Sequence, residues 1–161
     1  MRVFGTPVFA GLCLLLLLAA AVPARAGTAT PYPGTVVQKT ALSFAALTKR
    51  LQTAVEKNGM FVVTSASASA GAKSRGLTIP GNMVIGVYRN DFAVRMLEAS
   101  VPAGIEAPLR FYITENADGT ATLTYRKPTA VFAPYGSAKL DAMATELDTI
   151  WAKIVGDTIG K

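Results

Sequence analysis

The residues with the clearest potential for binding chemistry lie on a predicted β-hairpin over residues 109–126. Apolar and polar residues alternate along both halves of this segment, as in two strands that each bury one face. Pairing Phe111 with Tyr125 puts every apolar side chain on one face, whereas a shift by one residue brings Phe111 opposite Arg126. The surviving register needs a three-residue turn and sets Arg110 across from Arg126 on the outer face.

The facing pair of arginines needs a compensating contact. Like charges opposite each other on a sheet are unfavourable by up to about 1 kcal/mol. A small anion could bridge Arg110 and Arg126, because a carboxylate or phosphate takes charge-assisted hydrogen bonds from guanidinium groups. A partner surface is a second interpretation, and two side chains that splay into water are a third. Tyr112 and Lys127 complete this candidate ligand- or partner-binding group.

A second candidate group lies at a predicted strand-to-helix junction. Tyr88, Arg89 and Arg95 surround the start of a helix, and binding residues often collect in such connecting segments. A helix N-terminus also favours an anion, although Asp91 competes for that position. The alternative is a helix cap flanked by solvated arginines.

Catalytic chemistry is poorly represented in the sequence. The chain has no histidine, and its only cysteine is Cys13. This composition excludes imidazole triads and, once the leader is removed, thiol catalysis, disulfides and thiolate metal sites. Ser69 and Lys73 are spaced to share a helix face as nucleophile and base, but Lys73 lies in an open polar segment. We therefore predict no catalytic residues, no metal site and no cofactor.

The first 26 residues have the pattern of a cleaved secretory signal peptide. Arg2 precedes an uncharged apolar run, and Ala24 and Ala26 form a small-residue cleavage site. The alternative is an uncleaved anchor, since residues 3–22 are just long enough to span a bilayer. We expect cleavage, a periplasmic or secreted location, and no stable membrane span afterwards.

Charge limits the choice of partner. Cleavage would remove two arginines and lower the net charge from +6 to +4. The remaining basic residues are scattered and form no block. This mild positive bias favours anionic partners, but it is not a nucleic-acid footprint, and we expect no nucleic-acid partner.

The elements that must position these residues form one α+β domain over 35–160, after a flexible arm over 27–34. The predicted order is β-α-β-(α)-β-α-β-β-α, a mostly antiparallel sheet with helices packed on one face. Besides the hairpin, strands are predicted over 35–41, 60–64 and 83–88, and helices over 44–57, 68–75, 92–100 and 138–155.

Specific residues are expected to mark the ends of the helices and to form the buried face of each helix. Ser43 and Ser137 are predicted N-caps of the first and last helices, and Asn90 or Asp91 is the predicted cap of the third. Gly156 is the predicted stop of the last helix. The core is expected to include Trp151, with Phe92, Met96 and Leu97 contributed by the third helix.

Several segments, taken in order, resemble the domain-of-unknown-function 302 family. They are the helix Ser43–Gly59, the segments Ala70–Leu77 and Met96–Gly104, the segment Ala107–Phe111, and Tyr125-Arg-Lys-Pro128. The resemblance covers roughly residues 35–140. It implies a small α+β fold that self-associates and has an undefined activity, and it supplies no catalytic residues.

The chain departs from the family pattern at two places. Many members have a histidine where this chain has Ala68, and a Phe-Gly-Asn-Pro run where this chain has Val87-Tyr-Arg-Asn90. Any chemistry that depends on that histidine is absent here or is carried out differently.

Together these features favour an exported, non-enzymatic binding or interaction module. Its expected partners are a second copy in a homodimer, a small anionic ligand or an envelope protein, bound through the hairpin and the loop over 65–82. One alternative is an enzyme that uses Ser, Lys, Tyr or Arg chemistry or an unseen cofactor. Another is a purely structural envelope protein.

Overall fold

A computed structural model of the chain describes residues 30–160. The predicted signal peptide and the first part of the predicted arm lie outside these residues. The strands are β1 (Thr35–Ser43), β2 (Phe61–Ala66), β3 (Asn82–Tyr88), β4 (Leu109–Glu115) and β5 (Thr120–Arg126). The helices are α1 (Phe44–Lys57), α2 (Ala68–Ser74), α3 (Asn90–Ala99), α4 (Pro128–Phe132) and α5 (Ala138–Ile159), with 3₁₀ helices at Val101–Glu106 and Ala133–Tyr135.

The strands form one antiparallel sheet in the order β1-β5-β4-β3-β2. This confirms the predicted α+β class and the predicted order of its principal elements. The hairpin register is also confirmed, because Phe111 pairs with Tyr125 and Ile113 with Leu123. Gly119 adopts a φ of 79° in the turn, a left-handed conformation that glycine tolerates.

The two faces of the sheet have different surroundings. Alternate residues of the central strands, among them Ile85, Phe111 and Leu123, are fully buried against the helices. Burying one such side chain contributes roughly 1.5–3 kcal/mol. The intervening residues Arg110 and Tyr112 are exposed on the opposite face. The alternation therefore leaves one sheet face for polar side chains.

The ends of α1 and α5 agree in part with the sequence predictions. Ser43 and Ser137 are N-caps, and their hydroxyls accept hydrogen bonds from the N–H groups of Ala46 and Leu140. The predicted stop at Gly156 is wrong, since α5 continues to Ile159 and ends at Gly160 with a φ of 77°. The additional turn buries Thr158, whose hydroxyl donates to the carbonyl of Ile154.

The predictions for α3 need two corrections. Arg89 occupies the N-cap position without a side-chain cap, because the Asp91 carboxylate accepts hydrogen bonds from the Arg89 guanidinium instead. Leu97 lies on the solvent side and is 46% exposed, whereas Phe92 and Met96 are buried as predicted. The segment after α3, for which the sequence predicts no helix or strand, contains the 3₁₀ helix Val101–Glu106.

Helix α4 was not predicted from the sequence. Pro128 stands at its start, where the missing N–H of proline costs nothing. The capping acceptor comes from α5: Asp148 accepts from the N–H of Thr129 at 3.1 Å and from its hydroxyl at 2.7 Å. The short helix then buries Val131 and Phe132 at one end of the sheet.

None of the helices within residues 30–160 combines the length and the apolar character needed to cross a membrane.

Candidate functional site

A groove on the solvent-facing side of β4 and β5 brings together three of the predicted binding residues. Arg110, Tyr112 and Arg126 line this outer groove, whose volume is about 270 Å³. Its wall also includes Thr124 from β5 and Glu106 from the 3₁₀ helix before β4. The groove follows directly from the strand register, because these three residues all project from the sheet face that the helices leave uncovered.

Arg126 has a donor that no group in residues 30–160 satisfies. One guanidinium nitrogen, Nη2, donates to the carbonyl of Ala130 at 3.2 Å, and the guanidinium lies 5.4 Å from the centre of the Tyr32 ring. Its Nε is buried and has no acceptor among the described residues. A buried donor without a partner costs about 1–3 kcal/mol, and more when it belongs to a charged group.

Arg110 has neither an ion-pair nor a hydrogen-bond partner in the part of the chain that the structure describes. The ion pairs found there join Lys57 to Asp157, Arg89 to Asp91 and Arg95 to Glu146, and none reaches the groove. Both groove arginines therefore keep their charge uncompensated by a carboxylate.

The one acidic residue in the groove wall is already engaged. The Glu106 carboxylate accepts a hydrogen bond from the Tyr135 hydroxyl at 3.0 Å. Desolvation and this hydrogen bond raise the pKa of Tyr135, so the hydroxyl stays protonated to a higher pH than an ordinary tyrosine. The groove therefore holds two guanidinium groups against a single, hydrogen-bonded carboxylate.

The segment before β1 packs tightly beside the groove. Gly34 has a φ of 73°, and a Cβ at this position would lie 2.2 Å from the Cβ of Ala130. The Gly34 carbonyl accepts from the N–H of Lys127 at 2.9 Å. This close approach places Tyr32 over Arg126. The Lys127 side chain is exposed and does not line the groove, so its predicted role in this group has no geometric support.

The second predicted group lies elsewhere, and its arginine charges are paired. Arg89 contacts Asp91 at 2.7 Å, and its guanidinium lies 4.3 Å from the centre of the Phe92 ring. Arg95 contacts Glu146 at 2.6 Å. Hydrogen bonds from these arginines lower the pKa values of Asp91 and Glu146 below their usual range. Tyr88 and Arg89 border a different concavity, on the core side of the sheet.

Ser69 and Lys73 both lie on α2, but no hydrogen bond joins them in the described part of the chain. The Ser69 hydroxyl hydrogen-bonds with Ser67 and accepts from the N–H of Asn82, at the start of β3. Tyr88 ends the same seven-residue strand, about 20 Å away. Lys73 is exposed. Within residues 30–160, no three carboxylates converge as a metal-binding cluster.

Sequence reasoning missed Glu106 in the groove wall and Tyr32 beside the groove, over Arg126. Glu106 reaches the site through a 3₁₀ helix in a segment for which the sequence predicts no regular element. Tyr32 belongs to a segment predicted as a flexible arm. No periodic pattern marks either residue, because neither belongs to a regular strand or long helix.

Comparison with known proteins identifies a family but no activity. The family model described as "Domain of unknown function DUF302" matches residues 36–156. No curated protein matches the sequence. The fold is similar to the crystal structure of an uncharacterized conserved DUF302 protein from Bacillus stearothermophilus. The TM-score is 0.69 at 16% identity, over 78% of this chain and 98% of the other.

Proposed function

The chain belongs to the DUF302 family, and we propose that it is an exported, non-enzymatic module that binds small molecules carrying a carboxylate or a phosphate. The observation that carries this proposal is the pair of groove arginines, Arg110 and Arg126, which line one groove without a carboxylate ion-pair partner among residues 30–160.

An anion supplies the negative charge and the hydrogen-bond acceptors that the groove arginines lack. One oxygen accepts a hydrogen bond from the Arg126 guanidinium, and a second oxygen of the same group accepts one from Arg110. Such charge-assisted bonds are shorter and roughly twice as strong as neutral ones. The same ligand offsets the repulsion between the two guanidinium groups, which an uncharged ligand leaves in place.

The remaining wall suits an organic body attached to the anion. Tyr112 is 41% exposed along the groove, and Tyr32 lies over Arg126 with 62% of its surface exposed. Aromatic rings offer large, rigid contact area at low cost in conformational entropy. Small carboxylates and phosphate esters are therefore the ligand class with the best chemical match.

Export and self-association complete the proposal. The leader pattern of residues 1–26 supports export, and the mature chain then begins at Gly27. Strand β2 supports a dimer, because it is an edge strand that exposes Phe61 at 60% and Val63 at 48%. A second copy related by a two-fold axis pairs its own β2 with this edge. Introducing Val63→Lys should halve the mass measured by light scattering, and an unchanged mass excludes this edge.

The binding proposal is tested by titration calorimetry on the mature chain. The probes are inorganic phosphate, phenyl phosphate and glutarate, with glutaramide as an uncharged control. Arg126→Gln and Arg110→Gln should each weaken binding of the tightest probe at least about tenfold. Arg75→Gln removes the same charge at an exposed site outside the groove and should change affinity less than about twofold. Equal affinity in the wild type and both groove variants refutes the proposal.

A further inference from the structure

The outer groove carries a negative charge as well as its two arginines. Glu106 lies in the same wall as Arg110 and Arg126, yet no ion pair joins it to either of them in the part of the chain that the structure describes. Charges of opposite sign that share a groove without touching present two separate points of attachment. A ligand with one charge of each sign can use both points at once, whereas a simple anion uses only the arginines.

The surroundings of Glu106 hold its carboxylate in place. Glu106 is the last residue of the 3₁₀ helix Val101–Glu106, which is anchored by the fully buried Ala103. The Tyr135 hydroxyl then donates to Glu106 Oε1 at 3.0 Å. A side chain that is fixed by its own backbone and by a supporting hydrogen bond offers a ligand an acceptor at a defined position.

The second oxygen of this carboxylate is available to a ligand. Glu106 Oε2 has no hydrogen-bond partner among residues 30–160, and the residue is only partly buried. A carboxylate has about four lone-pair sites, so the contact with Tyr135 leaves most of its capacity unused. An ammonium group has three N–H donors and forms short, charge-assisted hydrogen bonds with such an oxygen.

The groove wall also supplies apolar surface for a carbon skeleton that joins two charged ends. Leu109, Val131 and the ring of Tyr112 line the groove together with the charged residues. The groove volume of about 270 Å³ is several times the roughly 30 Å³ that one water molecule takes up in the liquid. A short aliphatic chain therefore fits the groove along with its charged groups.

We propose that the ligand of the outer groove is a small zwitterion, with an ammonium group that binds Glu106 and a carboxylate or phosphate that binds Arg110 and Arg126. This inference rests on the proposed function and adds the second charge of the ligand to it. Glu106 is then a specificity-determining residue, because an anion without an ammonium group leaves this carboxylate unpaired beside a further negative charge.

The test compares probes that differ only in the ammonium group, by titration calorimetry on the mature chain. The first pair is 4-aminobutyrate and pentanoate, and the second is O-phosphoethanolamine and propyl phosphate. In each pair a methyl group replaces the ammonium. We expect the wild type to bind the ammonium-bearing member of at least one pair about tenfold more tightly or better. The pair that shows this preference also tells whether the anionic end is a carboxylate or a phosphate.

A matched pair of variants assigns the ammonium group to Glu106. Glu106→Gln removes the charge but keeps an oxygen that accepts from the Tyr135 hydroxyl, so the local structure should be retained. This variant should reduce the preference for the ammonium-bearing probe to less than about threefold, and it should bind the simple anion at least as tightly as the wild type does. Glu98→Gln removes the same charge at an exposed position of α3 outside the groove, and it should keep the wild-type preference.

The outcomes distinguish this inference from the proposed function. Equal affinity within both pairs, together with arginine-dependent binding of the simple anions, refutes the zwitterion and leaves the anion site in place. A preference for the ammonium group that Glu106→Gln keeps in full overturns the role of Glu106. If no probe binds, or if Arg110→Gln and Arg126→Gln bind every probe as the wild type does, the proposed function fails and this inference fails with it.

Discussion

The outer groove and the concavity on the core side of the sheet beside Tyr88 and Arg89, here called the inner cleft, share the strand β4 but present opposite chemistry. Arg110 and Tyr112 point into the groove, whereas Leu109 borders both concavities and Phe111 stacks beneath Trp151. The groove contains guanidinium groups without carboxylate partners. At the cleft, the nearby arginine is paired and the walls are apolar.

The comparison shows how a half-buried sheet separates binding from stability. A residue on the solvent face of β4 has few packing contacts, so its chemistry can change at little cost to the fold. A residue on the core face contributes to packing as well as to any ligand site. The proposed anion binding should therefore be separable from folding, whereas the residues of the inner cleft also pack the core.

Substitutions at two adjacent residues of β4 should give the largest difference in the free energy of unfolding. Phe111→Ala should lower the free energy of unfolding by about 3–5 kcal/mol, because it removes a fully buried ring that contacts Trp151 and Tyr125. Tyr112→Ala, one residue further on the exposed face, should lower it by less than about 1 kcal/mol. Urea denaturation measures both. Similar losses for the two variants contradict the assignment of faces.

Ligand binding should raise the free energy of unfolding of the wild type, and the size of this increase should depend on the groove arginines. An anion at a hundred times its Kd should raise the free energy of unfolding by about 2.7 kcal/mol. The same concentration should give Arg126→Gln a smaller gain, since the variant lacks the guanidinium charge in the groove. Thermal or urea unfolding with and without the ligand measures this difference. Equal stabilisation of wild type and variant places the anion outside the groove.

Removing a groove charge should not destabilise the fold in the absence of ligand. Arg110 has no ion-pair or hydrogen-bond partner among residues 30–160, and it shares the groove with Arg126. Arg110→Gln should therefore leave the free energy of unfolding unchanged or raise it by up to about 1 kcal/mol, through relief of repulsion. A loss greater than about 1 kcal/mol in urea denaturation shows that Arg110 has a structural role.

The smallest expected effect is on the pH dependence of stability, through the ion pair between Arg95 of α3 and Glu146. Arg95 lowers the pKa of Glu146 below its usual value of 4.5 in the folded state. The contribution of this pair to stability is present above that unfolded-state value and is lost as pH falls through the lower folded-state value. The loss is small because both groups are exposed and screened by solvent.

A variant isolates this acid sensitivity. The melting temperature of Arg95→Gln should fall less than that of the wild type between pH 5 and pH 3, because Glu146 no longer has a lowered pKa. Arg75→Gln, which has no carboxylate partner among residues 30–160, should follow the wild-type profile. Identical profiles for Arg95→Gln and the wild type contradict the pairing.

The sequence was most informative where contacts follow a local pattern. Strict alternation of apolar and polar residues determined the β4–β5 register, and this register placed Arg110 and Arg126 in one groove. The cap of α1 was likewise predictable, because Ser43 binds a backbone N–H only three residues away.

Features that depend on distant residues escaped prediction. Helix α4 is capped by Asp148, 19 residues away from Thr129. Arg95 is paired with Glu146, 51 residues away, so its charge seemed available for a ligand when only the sequence was considered. The orphan donors Arg126 Nε and Trp151 Nε1 are visible only once the surrounding side chains are placed.

The central claim is that Arg126 holds an anion in the outer groove, and native mass spectrometry of the mature protein tests it most directly. The protein should be purified gently from the exported fraction as wild type, Arg126→Gln and Arg75→Gln. We predict a retained small-molecule mass in the wild type and in Arg75→Gln that is absent from Arg126→Gln. Retention of the same mass by Arg126→Gln, or a wild-type chain that carries no added mass after incubation with the tightest anionic probe, contradicts the claim.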